Sequence, residues 1–133
     1  MSRSRNRALI YICLIVVAFV GTLVDWLLWL SGKPAINAGV LIHAAVLMIG
    51  TLLWQFADAR QRGTRAGVLS SVVTLLFAPL GSALYLHQSR EWKAATAAFV
   101  AFWGGLVLAV LAANLVGNWL ATDIIFGDVP GSG

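Results

Sequence analysis

Charged residues are scarce in this chain. Only 11% of its 133 residues are Asp, Glu, Lys or Arg, and only five of them are acidic, whereas a soluble domain carries about 25% charged residues. Hydrophobic residues make up 60% of the chain. The formal net charge of +4 comes from arginines and lysines in the N-terminus and the loops, where they set membrane orientation and meet lipid phosphates. We therefore expect the lipid bilayer as a partner and no nucleic acid.

Residues that carry most catalytic and metal chemistry are also few. The single cysteine, Cys13, cannot form an internal disulfide or a cysteine metal cluster by itself. The two histidines, His43 and His87, are predicted at different depths, which argues against a haem held between them. No HExxH, P-loop or GxSxG motif is found. We expect no catalytic residue, metal or cofactor, and these observations together argue against an enzyme.

What the chain has instead is four long apolar stretches. Each has about 20 residues or more, enough to cross the roughly 30 Å hydrocarbon core of a bilayer as a helix. The sequence therefore predicts an all-α membrane protein with four transmembrane helices in a single integral-membrane domain, residues 1–133. The helices are expected at about 8–30, 36–62, 66–87 and 92–122, followed by a flexible tail over 123–133.

The third segment contains Pro79 and Gly81 two thirds of the way along. We expect a full span kinked at Pro79, because neighbouring helices usually satisfy the carbonyl that a proline frees in a membrane helix. The alternative is a re-entrant hairpin, which would return the third loop to the side of the N-terminus.

Basic residues are unevenly distributed among the loops. With four spans and the N-terminus inside, six Lys or Arg residues face the cytoplasm and three face out; a re-entrant third segment changes the count to eight and one. Either count predicts a cytoplasmic N-terminus, and the location that we expect is the bacterial inner membrane. The first segment is expected to be an uncleaved anchor, because its apolar run exceeds the usual signal-peptide length of about 7–15 residues. The second loop is expected to face the cytoplasm and lipid head groups through Asp58, Arg60, Arg62 and Arg65, with Gly63 ending the helix.

Small residues follow one another at spacing four along the fourth segment. Such a stripe lets two helix backbones approach closely in a membrane. It either packs within the molecule, against a weaker stripe in the third segment (Ser70, Thr74, Ala78 and Ser82), or forms an interface with another subunit or a second copy of the chain. The members of this small-residue stripe are Ala97, Ala101, Gly105, Ala109, Ala113 and Gly117.

Asp25 is the only acidic residue well inside a predicted span. Asp25 and His43 are predicted at matching depth on neighbouring helices, roughly 8–11 Å below the same surface. Because an ionised carboxylate in a membrane needs a protein or water partner, we predict a hydrogen bond or ion pair between them. This pair either accepts protons or binds a ligand, or it fixes the register of two helices. Asn114 and Asn118 are interpreted as helix–helix contacts.

One part of the chain resembles a known sequence signature. It comprises Asp58-Ala59-Arg60-Gln61-Arg62-Gly63, then the run from Thr74 to Gly81, then Leu84-Tyr85-Leu86. This resembles families of small, mostly uncharacterised bacterial membrane proteins, including relatives of the plant membrane protein required for neoxanthin synthesis. The chain departs from their Gly-Pro-x-Gly pattern at Ala78. The resemblance implies a four-helix layout with the second loop inside and a carotenoid or isoprenoid role.

Three functional classes are compatible with these observations. We expect a non-catalytic accessory or assembly subunit of a membrane complex, or a homo-oligomer, that contacts other membrane subunits or itself through the fourth helix. One alternative is a small proton-coupled transporter that uses Asp25, similar in length to the small multidrug-resistance exporters, which instead rely on a glutamate deep in the first helix. A second alternative is an isoprenoid- or carotenoid-binding or -modifying protein.

Overall fold

The described residues form an all-helical protein with three long helices. The computed structural model describes residues 3–34 and 36–126, and every regular element in these ranges is an α-helix. The long helices are α1 (Arg3–Leu30), α2 (Ala38–Arg62) and α5 (Trp92–Phe126). All three are long and apolar enough to cross a membrane. The prediction of an all-α protein whose long helices are apolar enough to cross a membrane is thus confirmed.

The predicted third span is two short helices, α3 (Val68–Leu76) and α4 (Ala78–Ser89). They are joined at Phe77, whose backbone is extended (φ −152°, ψ 94°). Pro79 lies in the first turn of α4, where a missing N–H leaves no helical hydrogen bond unmade. Inside one continuous helix, the same proline would clash with the carbonyl four residues earlier. The expectation of one helix over 66–87 kinked at Pro79 is therefore wrong.

The two short helices fold back on each other as a hairpin. Gly81 of α4 packs directly against the backbone of Thr74 in α3, and a Cβ on Gly67, just before α3, would lie 3.3 Å from Oε1 of Gln88 near the end of α4. The hairpin therefore enters and leaves at one end of the molecule. Its arms are roughly 14 and 18 Å long, about half a bilayer core. The described ranges thus hold three candidate spans and a hairpin of two short helices, not the four expected spans.

Helix α1 packs against both α2 and α5, and the hairpin fits beside α2 and α5. Polar hairpin residues are satisfied by these neighbours. Gln55 of α2 donates to Thr74 Oγ1 over 2.8 Å, and the Trp103 indole of α5 donates to Ser82 Oγ over 2.8 Å. The weaker stripe predicted in the third segment is buried, and two of its members, Thr74 and Ser82, meet polar groups of α2 and α5.

Local sequence signals explain the helix ends. The Asn37 side chain caps α2 by accepting from the backbone N–H groups of Gly39 and Val40. Gly63 ends α2 with a left-handed backbone (φ 69°), as the sequence predicts. At the C-terminus, α5 continues to Phe126, so residues 123–126 are helical rather than part of a tail. The rest of the predicted tail, 127–133, lies outside the described residues.

The bundle has two distinct ends. At the basic end, the start of α1, the end of α2 and the turn between α4 and α5 meet through Arg7, Asp58 and Arg90. The opposite end, called here the Lys33 end, contains the α1–α2 loop and the C-terminal half of α5.

Candidate functional site: a carboxylate–imidazole pair between two cavities

Asp25 and His43 are in direct contact near the Lys33 end. His43 Nδ1 lies 2.9 Å from Asp25 Oδ2. Asp25 is five residues before the end of α1, and His43 is five residues after the start of α2, so both lie about 8 Å from the helix ends. The predicted contact is confirmed, whereas its role stays a prediction.

Gly21 makes room for this contact, and Gly39 lies beside it. Gly21 precedes Asp25 by four residues in α1, and Gly39 precedes His43 by four residues in α2. A Cβ on Gly21 would overlap the His43 ring, whereas a Cβ on Gly39 would approach Asn37 Oδ1 and Leu28 to 2.9 Å. A glycine one helical turn from each polar residue is a sequence signal that could have located the site, because residues four apart share a helix face.

Each partner keeps one unused polar atom. Asp25 Oδ1 and His43 Nε2 are buried, and neither has a hydrogen-bond partner among the described residues. When His43 is neutral, the short contact places its proton on Nδ1, so that Nδ1–H donates to the carboxylate and Nε2 is an acceptor. Buried polar atoms without partners are rare in folded proteins, and each needs an explanation. Here the two residues border cavities: Asp25 lines two of them and His43 lines one.

The first cavity, called here the tryptophan cavity, has a volume of about 330 Å³ and lies between α1, the α1–α2 loop, the start of α2 and α5. Two indole rings and several amide or carboxyl groups form its wall. The lining residues are Thr22, Asp25, Trp26, Trp29, Pro34, Asn37, Val40 and Asn114. It thus combines an aromatic, largely apolar wall with a few polar groups, which is typical of ligand sites.

The second cavity, of about 480 Å³, is lined by α1 and α2 alone. It is almost entirely aliphatic, and its polar contributors are Asp25 and His43. Asp25 therefore borders both cavities, and its side chain is 23% exposed, compared with 14% for His43. Asp25 is thus the residue of the pair that the two cavities share.

Contacts between α1 and α5 hold the tryptophan cavity in shape. The Trp26 indole donates to Asn114 Oδ1 over 2.8 Å, and Asn114 Nδ2 donates to the Val110 carbonyl. Trp26 also lies over Gly117, where an added Cβ would approach the ring to 2.9 Å. Asn114 thus makes the predicted helix contact, whereas Asn118 is exposed.

The small-residue stripe of α5 is mostly covered by α1. The Tyr11 hydroxyl lies against Gly105 and donates to the carbonyls of Ala101 and Phe102. Ala109, Ala113 and Gly117 are buried, but the Ala97 and Ala101 side chains are exposed. The alternative in which the stripe packs against the third segment is therefore wrong, because the stripe packs mainly against α1. Close approach of α1 uses most of the stripe within the molecule.

A second polar cluster lies at the basic end around Asp58, which is completely buried. Its carboxylate accepts from Arg7 Nη1 at 2.7 Å, from Arg90 Nη2 at 2.7 and 2.9 Å, and from the Tyr85 hydroxyl at 2.9 Å. Arg62 Nε is 3.4 Å away. The expectation that Asp58 faces lipid head groups is wrong, because these donors draw it into the bundle; Arg60 and Arg65 are exposed.

Asp58 and Tyr85 both belong to the signature of residues 58–86, and the hairpin brings them together. Tyr85 lies outside the three candidate spans, and burial, followed by its hydrogen bond to Asp58, raises the pKa of its phenol. The phenol therefore stays protonated and donates. Sequence reasoning missed Arg7 and Arg90, which are 51 and 32 residues from Asp58. All the hydrogen-bond donors close to Asp58 come from the protein itself. The cluster therefore holds four parts of the chain together.

The described part of the chain contains no group of three or more His, Cys, Asp or Glu side chains that could hold a metal ion. His43 and His87 lie toward opposite ends of the bundle, and His87 Nδ1 bonds the Ala83 carbonyl in its own helix. The searches found no protein-family model, curated protein or solved structure that matches the chain.

Proposed function

We propose that this protein is a small, non-catalytic membrane carrier that binds a basic, partly apolar molecule at the Asp25–His43 pair and exchanges it for a proton. One observation carries the proposal: Asp25 Oδ1 is buried, lacks a hydrogen-bond partner among the described residues, and belongs to a residue that lines the tryptophan cavity.

The wall of the tryptophan cavity favours a cation. Asn37 already caps α2 through its amide oxygen, and Asn114 accepts from Trp26. The Asp25 carboxylate is then the strong acceptor left for a ligand. Trp26 and Trp29 pack edge to face at 5.5 Å, and indole faces attract ammonium groups. A volume of about 330 Å³ is enough for a small amine with an apolar body.

Proton exchange follows from the charge of the pair. With a neutral imidazole, the site carries the single negative charge of Asp25 and attracts a cation. When a proton adds to His43 Nε2, the pair becomes an internal ion pair with no net charge. The bound cation then loses its counter-charge. Ligand and proton therefore oppose each other's binding, and this mutual effect is the coupling that a proton-linked carrier needs.

The hairpin also supports an orientation. By chain position, Lys33 alone lies at its end of the bundle, and the other eight basic residues belong to the basic end. This distribution supports a bacterial inner-membrane protein with a cytoplasmic N-terminus and the tryptophan cavity in the outer half of the bilayer. The eight residues are Arg3, Arg5, Arg7, Arg60, Arg62, Arg65, Arg90 and Lys93.

A binding experiment tests the proposal. Tetraphenylphosphonium and a primary alkylamine are titrated into the purified protein by calorimetry at pH 8 and pH 5.5. We expect tighter binding at pH 8 and a loss of affinity of about tenfold or more in Asp25→Asn, because the charge pairing is removed. Asp123→Asn is the matched control, since Asp123 is exposed near the end of α5. Unchanged affinity in Asp25→Asn, or equal loss in Asp123→Asn, contradicts the proposal.

A subunit role is the second candidate, because part of the stripe stays open. Ala97 and Ala101 are exposed, and a Cβ on Gly104 would meet nothing within 4 Å. This open face of α5 suits another helix or a second copy of the chain. Native mass spectrometry of Ala97→Leu tests it: loss of a co-purifying subunit supports the role, and an unchanged species opposes it. The isoprenoid alternative rests on the resemblance over residues 58–86, where Tyr85 donates to Asp58, and on the Asp25–His43 pair.

A further inference from the structure

A groove at the basic end combines two kinds of wall. It has a volume of about 320 Å³ and lies between α1 and α5. Arg7 and Arg90 line it together with apolar or aromatic residues that include Ala98 and Phe102. Charged groups and hydrocarbon therefore border the same space, which suits a molecule with a charged head and an apolar chain.

The arginines in this region exceed the available negative charge. Asp58 is the one carboxylate within salt-bridge distance of Arg7, Arg62 and Arg90 in the described ranges. Three guanidinium groups against one carboxylate leave a formal surplus of two positive charges. Arg90 is largely buried and Arg7 and Arg62 are partly exposed, so this positive surplus can attract an anion from outside the protein.

Arg90 also has an unused donor. Its side chain is 10% exposed, and its buried Nε has no hydrogen-bond partner in the part of the chain that the structure describes. Asp58 holds the Nη2 atom of the same guanidinium at 2.7 Å, which fixes the plane of the group. A fixed guanidinium with a spare N–H is suited to one oxygen of a phosphate, which arginine binds through planar, paired donors.

Arg7 brings a second donor to the groove. One of its nitrogens is held by Asp58 at 2.7 Å, while the side chain is 35% exposed. Its outer N–H groups can therefore reach a ligand without breaking the contact to Asp58. Both arginines are positioned before any ligand arrives, which lowers the cost of binding.

The apolar wall identifies the kind of anion. Ala98 and Phe102 belong to the part of α5 that is apolar enough to cross a membrane, and Arg7 lies within the first candidate span near its start. The groove therefore runs from the level of lipid head groups into the hydrocarbon region. A free phosphate would leave this apolar part unfilled, whereas an acyl chain fits it.

We infer that this groove binds an anionic phospholipid, with its phosphate on Arg7 and Arg90 and the first part of an acyl chain beside Ala98 and Phe102. The site is separate from the Asp25–His43 pair at the other end of the bundle, and it requires no transport activity.

Lipid competition tests the inference. The detergent-purified protein is delipidated and titrated with phosphatidylglycerol or phosphatidylcholine, and bound lipid is counted by native mass spectrometry. We expect a preference of about tenfold or more for phosphatidylglycerol, lost in Arg7→Gln. Lys93→Gln is the control, because Lys93 is an exposed cation near the start of α5 and does not line the groove. It should keep the preference.

A second variant leaves the Asp58 cluster intact. Ala98→Leu narrows the apolar wall without removing a charge, and we expect bound phosphatidylglycerol to fall about fivefold as the acyl chain is displaced. Equal binding of the two lipids overturns the inference. So does displacement of the lipid by millimolar inorganic phosphate, which would assign the site to a free anion. Equal losses in Lys93→Gln and Arg7→Gln would indicate general surface charge and also overturn it.

Discussion

Gly81 packs against the backbone of Thr74, and this contact closes the hairpin between α3 and α4. A Cβ at position 81 would overlap the nitrogen and Cα of Thr74. Because backbone atoms cannot move aside as a flexible side chain can, we predict that Gly81→Ala destabilises the protein by about 1–3 kcal/mol. Thermal unfolding in detergent, followed by circular dichroism, measures this change.

Gly104 provides the matched control for that substitution. It lies inside α5, and a Cβ there meets nothing within 4 Å. Gly104→Ala should leave stability unchanged or raise it by up to about 1 kcal/mol, because alanine is the better helix former. If both variants lose the same stability, the Gly81–Thr74 contact is not what holds the hairpin.

The same contact shows where sequence reasoning stops. The three long helices were predictable, because length and hydrophobicity alone decide whether a helix can cross a bilayer. The structure of the third segment was not predictable, because Pro79 is compatible both with a kink in one helix and with the first turn of a new helix. The deciding interaction is tertiary: Gly81 lets two backbones meet, and neither residue signals this in the sequence.

Asp58→Asn should be among the most destabilising substitutions in the chain. Asp58 is fully buried and bonds Arg7, Arg90 and Tyr85. Removing its charge leaves the arginines uncompensated, and breaking a buried ion pair costs about 3–5 kcal/mol. Chemical unfolding of the purified variant measures the loss. The exposed Asp123→Asn should change stability by less than about 0.5 kcal/mol, and an Asp58→Asn variant as stable as this control would disprove the role.

The two polar clusters differed in how predictable they were. Asp25 and His43 lie on consecutive helices joined by a short loop, so counting residues from the loop places them at equal depth. Asp58 depends on Arg7 and Arg90, whose positions follow only from the packing of α1 and the hairpin around α2. In the sequence, Asp58 and the arginines that follow it resemble an ordinary polar loop. The burial of this carboxylate becomes evident only when those helices are packed together.

The protonated nitrogen of His43 can be observed directly. We predict that neutral His43 carries its proton on Nδ1, because that atom faces Asp25 Oδ2 at 2.9 Å. Nitrogen chemical shifts of ¹⁵N-histidine-labelled protein separate protonated from unprotonated ring nitrogens. Asp25→Asn should move His43 toward the Nε2-protonated form, while His87 keeps its spectrum as an internal reference. If the nitrogen chemical shifts of His43 do not change in Asp25→Asn, the contact is absent in the membrane.

The hairpin predicts the topology of the chain, which cysteine labelling can test. Cys13, exposed on α1, is first replaced by serine. Single cysteines then follow at Arg65, before α3, and at Glu91, after α4; both positions are exposed. Because the hairpin returns to the basic end, a membrane-impermeant maleimide should label both from the same side of the membrane. Lys33→Cys, in the α1–α2 loop, should be labelled only from the other side. A full third span would instead place Arg65→Cys and Glu91→Cys on opposite sides of the membrane. The experiment therefore distinguishes the two topologies independently of any transport function.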